Sequence, residues 1–250
     1  MKLIYDSLLV VQFVSAAFVF VTLYFVTAGY GRHSGKKWGP AINPRVGWMV
    51  MESPVVFIPL YFLFVGKASV VPVVILSVWM IHYLQRTFVY PFLIKGEENM
   101  PLLIVLFSLM FNSMNGFLNG YYLFELPHPN YTISWFYDPR FIVGTLIFFA
   151  GMVINIHSDH VVRVLRAEKG PGYHLPVKGM HRFVASPNYL GEIMEWTGYA
   201  ILTWSLPGLA FMVFTMANLV PRAHRHRKWY KENFGEKYPA SRKRVFPFIY

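Results

Sequence analysis

Residues 140–162 read RFIVGTLIFFAGMVINIHSDHVV, an apolar run that ends in polar residues. A helix of about 20 mostly apolar residues crosses the hydrocarbon core of a bilayer. Similar runs follow one another along the chain, and we place the spans at 7–28, 47–66, 69–93, 101–124, 140–162, 188–205 and 207–222. The sequence therefore predicts an all-α integral membrane protein with seven transmembrane helices.

The composition agrees with a membrane protein of one domain. Of 250 residues, 55% are hydrophobic and 14% are charged, whereas about a quarter of the residues of a soluble domain are charged. The spans leave no room for a soluble second domain, so we expect a single polytopic domain over 1–250 with a basic cytosolic tail at 223–250. Met1–Ala28 lacks a cleavage-type end and is interpreted as a span, not a signal peptide. The absence of cysteine excludes disulfides and a cysteine nucleophile.

The positive charges predict the orientation. The net charge is +11, and only Lys2, Lys67 and Arg140 of the 23 Lys and Arg residues fall outside when the N-terminus is outside or lumenal and the C-terminus is cytosolic. This is the asymmetry of the positive-inside rule. Basic loops of a membrane protein face anionic headgroups, so we expect membrane lipids, and no nucleic acid, as partners. The host membrane is the endoplasmic reticulum in a eukaryote or the inner membrane in a bacterium.

Ionisable residues lie inside several predicted spans, where they are costly and are functional candidates. Helical spacing places the members of each set on one face, and all sets fall in the cytoplasmic half of the spans. The sets are Glu52; His82, Tyr83 and Arg86; Asn155, Asp159 and Arg163; Asn188, Glu192 and Glu195; and Arg222, His226 and Tyr230. Arginines suit phosphate groups, so the sets predict a site for a polar ligand from the cytosol. The alternative is that their ion pairs only hold the helices together.

Two further patterns are not assigned to the ligand site. The histidines of His157-Ser158-Asp159-His160 and His224-Arg225-His226 lack a complete zinc ligand set and are crowded by arginines, so no metal site is predicted. Asn112, Asn115 and Asn119 form a polar stripe on the fourth span. Hydrogen bonds between helices are the expected role of this stripe, and lining a substrate cavity is the alternative.

Several ordered motifs between about Gly29 and Tyr250 resemble the steroid 5α-reductase (3-oxo-5α-steroid 4-dehydrogenase) family. They are His82-Tyr83, Gly120-Tyr121-Tyr122, Ile154-Asn155-Ile156-His157-Ser158-Asp159, Asn188-Tyr189-Leu190-Gly191-Glu192, Thr203-Trp204-Ser205-Leu206-Pro207 and Tyr238-Pro239-x-Ser241-Arg242-Lys243. The resemblance implies a seven-span reductase that uses NADPH to reduce the C4–C5 double bond of a 3-oxo-Δ4 steroid or another enone lipid.

The resemblance also implies site residues. Glu52 and Tyr83 match positions that contact the 3-oxo group. The positions that hold the dinucleotide are matched by Asn155, Asp159, Arg166, Tyr173, Asn188, Arg222, His226 and Tyr230, and further aromatic contacts by Trp48 and Tyr90. We add Glu192 and Glu195 as polar residues near the nicotinamide end. Met51 departs from the family, whose members commonly have Gln before the glutamate, and this puts the substrate range in doubt.

The implied chemistry is conjugate hydride addition to the enone. Tyr83 donates a hydrogen bond to the carbonyl oxygen as negative charge grows there, and Glu52 donates as well or orients Tyr83. The alternatives are a related sterol or enoyl-CoA double-bond reductase, a membrane methyltransferase that uses S-adenosylmethionine, or a structural membrane protein in which Glu52 and Tyr83 only join two spans.

Overall fold

Long helices dominate the computed structural model, which describes residues 1–26, 39–94, 99–170 and 172–250. Its helices are α1 (Lys2–Phe25), α2 (Pro44–Glu52), α3 (Pro54–Val65), α4 (Val70–Leu84), α5 (Tyr90–Leu93), α6 (Leu102–Glu125), α7 (Pro139–Lys169), α8 (Pro187–Thr203) and α9 (Leu206–Phe234). The short strands β1 (Ala41–Ile42) and β2 (Met100–Pro101) pair antiparallel and join the loops before α2 and α6.

Within these described residues, six helical segments are long and apolar enough to cross a membrane. They are Lys2–Phe25, Pro44–Val65, Val70–Leu93, Leu102–Glu125, Pro139–Lys169 and Leu206–Lys237. The protein is therefore a multi-pass membrane protein, and a helix lies at each of the predicted spans. The helix at the remaining predicted span, 188–205, is α8, which has 17 residues. A membrane crossing by α8, and with it the total of seven spans, remains a prediction, as does the orientation. The last two residues of the predicted span 7–28 lie outside the described residues.

The outer helices present apolar side chains to their surroundings. Leu3 and Phe18 of α1 and Phe64 of α3 are among the most exposed large side chains of the molecule. In water such surfaces favour association, but lipid tails solvate them. The interior is aromatic, because Trp79, Trp196 and Phe211 pack together with ring centroids 4.3–5.6 Å apart.

Two predicted spans are interrupted. Ser53 separates α2 from α3, and Pro54 begins α3, where a missing backbone N–H costs nothing. Between α4 and α5, residues Gln85–Val89 form a π-helical turn, in which the N–H of Tyr90 donates to the carbonyl of Gln85. Such turns contain one residue more than a regular helical turn and occur often at functional sites.

Helices α7 and α8 approach each other closely at glycines. A Cβ atom added to Gly151 would lie 2.5 Å from the carbonyl oxygen of Gly191, and one added to Gly198 would lie 2.5 Å from that of Gly144. Small residues that allow backbones this close are typical of helix contacts in membranes. The pair therefore holds the polar residues of α7 and α8 at fixed separation.

The chain after the last predicted span continues as helix and then returns to the body of the molecule. Helix α9 ends at Phe234, twelve residues beyond the predicted span. The following residues pack back, because Arg242 and Val245 are buried and Lys243 forms a parallel bridge with Val184.

Candidate active site

The polar residues of four spans meet in one group, which we call the central cluster and which consists of Glu52, Tyr83, Arg86, Asp159 and Glu192. Glu52 interacts electrostatically with Arg86 and Glu192, and Asp159 interacts with the same two residues. Tyr83 interacts with Glu52 and Glu192. Members of four of the five predicted polar sets therefore come together in the structure, and the central cluster carries three carboxylates around one guanidinium.

Glu52 ends α2 and is held from α6. The side-chain amide of Asn112 donates to the carbonyl oxygen of Met51 at 2.6 Å and to Glu52 Oε2 at 3.4 Å. The other two asparagines of this stripe also bond to polar groups, because Asn115 accepts from Gln12 of α1 and Asn119 donates to Asn115. Asn112 and Asn115 thus make the helix–helix hydrogen bonds that the sequence predicts.

Tyr83 is buried against the aromatic interior. Its ring stacks on Trp196 at 5.4 Å and packs on Trp79 at 4.7 Å. These contacts fix the ring between the polar central cluster on one side and an apolar wall on the other. A flat apolar molecule with one carbonyl group suits such a boundary, because pockets for small molecules are mostly apolar with a few placed polar groups.

Arg86 lies against Trp48 and Tyr90, the two aromatic residues that the resemblance implied. Its guanidinium carbon lies 4.6 Å from the ring centre of Trp48 and 4.5 Å from that of Tyr90. Its Nη2 lies 3.8 Å from Glu192 Oε2. Arg86 lies in the π-helical turn and Tyr90 directly follows it, and the two side chains, four residues apart, are neighbours on the helix surface. A guanidinium against ring faces makes cation–π contacts, which strengthen when water is excluded.

Glu195 lies deeper than Glu192 and pairs with a histidine. Its Oε2 is 2.6 Å from Nδ1 of His82, and the residue has no exposed area. Among the described residues, its Oε1 and the indole N–H of Trp48 are buried without hydrogen-bond partners. Buried polar atoms are almost always satisfied, so these two atoms fit a site that a polar ligand completes.

The residues matched to the dinucleotide fall into connected groups. The side-chain amide of Asn155 donates to the carbonyl oxygen of Asn188 at 3.0 Å, and Asp159 lies near the side chain of Asn188. Tyr90 interacts electrostatically with both Asp159 and Tyr189. The α7–α8 pair therefore continues directly into the central cluster.

Helix α9 adds a second group around Tyr189. Arg222 lies over the ring of Tyr189 at 5.3 Å, and His226 stacks on the same ring at 5.1 Å. His226 Nδ1 is also 3.0 Å from Ser186 Oγ. Tyr230 shares the face of Arg222 and His226 by spacing, yet it is buried and stacks on Tyr238 at 5.9 Å.

The loop before α8 supplies the remaining matched residue. Tyr173 lies under the guanidinium of Arg166 at 5.0 Å and packs on Trp229 at 5.4 Å. Trp229 in turn packs on Tyr230 at 5.5 Å, so ring contacts connect Arg166 and Tyr173 to Tyr230. The cations, carboxylates and aromatic rings of the matched residues fit the phosphates, riboses and rings of a dinucleotide.

Several residues of this region are absent from the set that the resemblance implies. Arg86 and His82 belong to the predicted polar sets and lie on the same span as the matched residues Tyr83 and Tyr90. Asn112 lies in the polar stripe of the fourth span and Tyr189 lies in one of the quoted motifs, but their contacts with Glu52 and His226 depend on how α6, α8 and α9 rotate toward their neighbours. Ser186 carries no comparable signal. In the part of the chain that the structure describes, no group of three or more metal-binding side chains is close enough to hold an ion.

Comparison of the sequence with known proteins identifies the family. The family model described as 3-oxo-5-alpha-steroid 4-dehydrogenase matches residues 98–250. The chain is 40% identical over 237 residues to steroid 5-alpha-reductase DET2 of Solanum lycopersicum, covering 92% of this chain and 91% of the relative. It is 37% identical over 254 residues to 3-oxo-5-alpha-steroid 4-dehydrogenase 1 of Bos taurus, covering 99% and 98%. The Homo sapiens protein of that name is 40% identical over 225 residues, covering 88% and 86%.

Proposed function

This chain belongs to the 3-oxo-5-alpha-steroid 4-dehydrogenase family, and on that premise we propose that it reduces the C4–C5 double bond of a 3-oxo-Δ4 steroid with NADPH. It is an oxidoreductase that acts on CH–CH groups and lies in a membrane. The observation that carries the proposal is the position of Tyr83, whose ring packs on Trp79 and Trp196 while it interacts with Glu52.

At the carbonyl end, Tyr83 and Glu52 receive the 3-oxo group. The phenol of Tyr83 donates a hydrogen bond to the carbonyl oxygen, where negative charge develops during the reaction. Glu52 donates too when protonated, or it orients the phenol. Asn112 holds Glu52 from α6, so an amide still reaches this carboxylate although Met51 replaces the usual Gln. The Trp79–Trp196 wall excludes water and accommodates the apolar rings of the substrate.

At the cofactor end, the residues matched to the dinucleotide would hold it. NADPH, when bound, supplies the hydride that adds to the β-carbon of the enone. Arg166 and Arg222 offer guanidinium groups to phosphates, and Asn155, Asp159 and Asn188 offer hydrogen bonds to polar groups of the cofactor. Trp48 and Tyr90 present ring faces near Glu192 and Arg86. The proton that completes the reaction goes to the α-carbon, and water is its source in this proposal.

The test compares NADPH oxidation by the purified protein in detergent with and without testosterone or progesterone. We expect steroid-dependent oxidation that Glu52→Gln abolishes and that Tyr83→Phe lowers by about 100- to 1000-fold, the usual cost of an oxyanion donor. Tyr121→Phe is the matched control, because Tyr121 is also buried but packs on Tyr5 and Phe117 away from the central cluster.

The outcomes separate the parts of the proposal. Normal activity of Tyr83→Phe with unchanged NADPH binding would show that the tyrosine has only a structural role. NADPH binding without steroid turnover would move the substrate to another enone lipid, such as a sterol or an enoyl thioester. No binding of NADPH would contradict the cofactor assignment.

A further inference from the structure

The last residues form a small closed loop, which we call the C-terminal loop and which comprises residues 243–250. The backbone N–H groups of Arg244, Val245 and Phe246 all donate to the carbonyl oxygen of Tyr250 at 2.9–3.0 Å. Phe248 lies near its tip with φ of 65°, a left-handed conformation that is unusual for a bulky residue. Backbone hydrogen bonds within residues 244–250 therefore close the loop and fix its tip.

The tip presents apolar side chains away from the protein. Phe248 is 80% exposed and Ile249 is 84% exposed. Phe183, which is 43% exposed, packs on Phe248 with ring centroids 5.8 Å apart. Val177 is 55% exposed on the same connection between α7 and α8. These four residues, which we call the apolar edge, lie outside the spanning segments, so lipid tails around the spans do not explain their exposure.

The C-terminal loop is attached to the end of a spanning helix. The hydroxyl groups of Tyr250 and Tyr24 are 2.9 Å apart, and Arg225 donates to the carbonyl oxygen of Tyr24. Tyr24 lies in the last turn of α1, which ends at Phe25. Because α1 is a span, this contact places the C-terminal loop at the level where the chain leaves the hydrocarbon core.

Basic residues accompany the apolar edge. Lys178 and Arg182 are exposed, and Lys243 and Arg244 are partly exposed. Lys178 and Arg182 are in the same connection as Val177 and Phe183, while Lys243 and Arg244 begin the C-terminal loop. Apolar side chains next to Lys and Arg at the end of a span match an anionic lipid interface, where the apolar groups enter the acyl boundary and the cations contact headgroups.

We propose that the C-terminal loop and Val177–Phe183 form an interfacial anchor that inserts the apolar edge among anionic lipid headgroups. The occupant of this surface is the bilayer and not a second protein, because the loop is tied to the end of α1 and its charges complement acidic headgroups. The inference does not depend on the proposed reaction.

The chain lacks cysteine, so a single introduced cysteine can carry a nitroxide label. The full chain with Phe248→Cys is placed in vesicles of phosphatidylcholine and phosphatidylglycerol, and collisions with oxygen and with a water-soluble nickel chelate are measured by spin resonance. Compared with Glu236→Cys, an exposed residue of the same terminal region, we expect a several-fold higher ratio of oxygen to nickel collisions. Phe57→Cys, at an exposed residue near the middle of the span Pro44–Val65, gives the membrane reference, and Ile249→Cys repeats the measurement.

Equal nickel access for the labels at 248, 249 and 236 would overturn the anchor. The role of charge is tested by repeating the Phe248→Cys measurement in pure phosphatidylcholine and with Lys178→Gln and Arg182→Gln together. We expect the collision ratio to fall in both cases. An unchanged ratio would overturn the requirement for anionic headgroups.

Discussion

Nδ1 of His82 lies 2.6 Å from a carboxylate oxygen of Glu195, and both side chains are buried. The pair joins α4 to α8 directly beside Tyr83, and the ring of His82 also packs on Trp196 at 4.7 Å. It therefore fixes the rotation of the two helices that carry Tyr83 and Glu192.

Removing one partner of this pair should destabilise the protein strongly. Glu195→Ala leaves His82 buried without its carboxylate, and breaking a buried pair costs about 3–5 kcal/mol. Thermal unfolding in detergent measures the loss, and Glu195→Gln should lose less because an amide keeps a hydrogen bond. Glu125→Ala, at an exposed glutamate, is the control. An unfolding temperature for Glu195→Ala equal to that of the control would contradict the prediction.

Asn112→Leu should lower turnover while the protein stays folded. The substitution removes the hydrogen bond to Glu52 and the one to the carbonyl of Met51. A hydrogen bond to a charged group is worth about 1.5–3 kcal/mol, so we expect kcat to fall roughly 10- to 100-fold. Ser113→Ala is the control, because Ser113 bonds only within α6, to Leu109. A normal kcat with a lowered unfolding temperature would limit Asn112 to structure.

Arg86→Lys should weaken NADPH binding although the charge remains. Lysine lacks the flat guanidinium that lies against Trp48 and Tyr90, and a desolvated cation–π contact is worth about 2 kcal/mol. We expect the Kd for NADPH to rise by roughly 30-fold, measured by tryptophan fluorescence. Arg140→Lys is a matched control, because Arg140 also lies over a tryptophan ring, that of Trp135 at 4.6 Å. Arg140 is at the start of α7, far along that helix from Asp159 of the central cluster. Equal effects of the two substitutions would refute a specific role.

Gly151→Ala should disrupt the α7–α8 pair. The new Cβ would meet backbone atoms of Gly191 and Glu195 at 2.5 and 2.6 Å, which no side-chain rotation relieves. Overpacking of this kind costs about 1–3 kcal/mol or more, so both the unfolding temperature and NADPH affinity should fall. In Gly47→Ala the nearest atoms are all side-chain ends, namely Met100 Sδ and Val105 Cγ2 at 3.2 Å and Ile42 Cδ1 at 3.3 Å. That variant should remain close to wild type, and a similar loss in both would argue against backbone contact as the cause.

The spans were predictable because membrane crossing depends on apolar length alone. The depth of polar residues followed from the same runs, which is why Glu52, Tyr83, Asp159 and Glu192 were expected together and are found together. The family was predictable from ordered motifs, and the comparisons confirm it. The predicted span 188–205 is a different case, because its helix α8 has 17 residues and is buried between α7 and α9.

The pairings inside the site were not predictable in the same way. Hydropathy indicates how deep a residue lies, but the rotation of a helix depends on packing against its neighbours. Glu195 shares a face with Glu192 by spacing, yet it bonds to His82, while Glu192 lies near Arg86. The seven-residue spacings of Gly144 with Gly151 and of Gly191 with Gly198 were the available signal for the α7–α8 contact.

The π-helical turn at Gln85–Val89 has a consequence for comparing this chain with its relatives. The turn holds one residue more than a regular helical turn, so the extra residue is accommodated locally and the residues after it keep the faces that they would have in a regular helix one residue shorter. A relative that lacks the turn is therefore aligned correctly only with a gap of one position within Gln85–Val89. Without that gap, Tyr83 would be paired correctly, while Tyr90 would be paired with a side chain that lies about 100° away around the helix. Substrate preferences inferred from such a pairing would be assigned to the wrong residues.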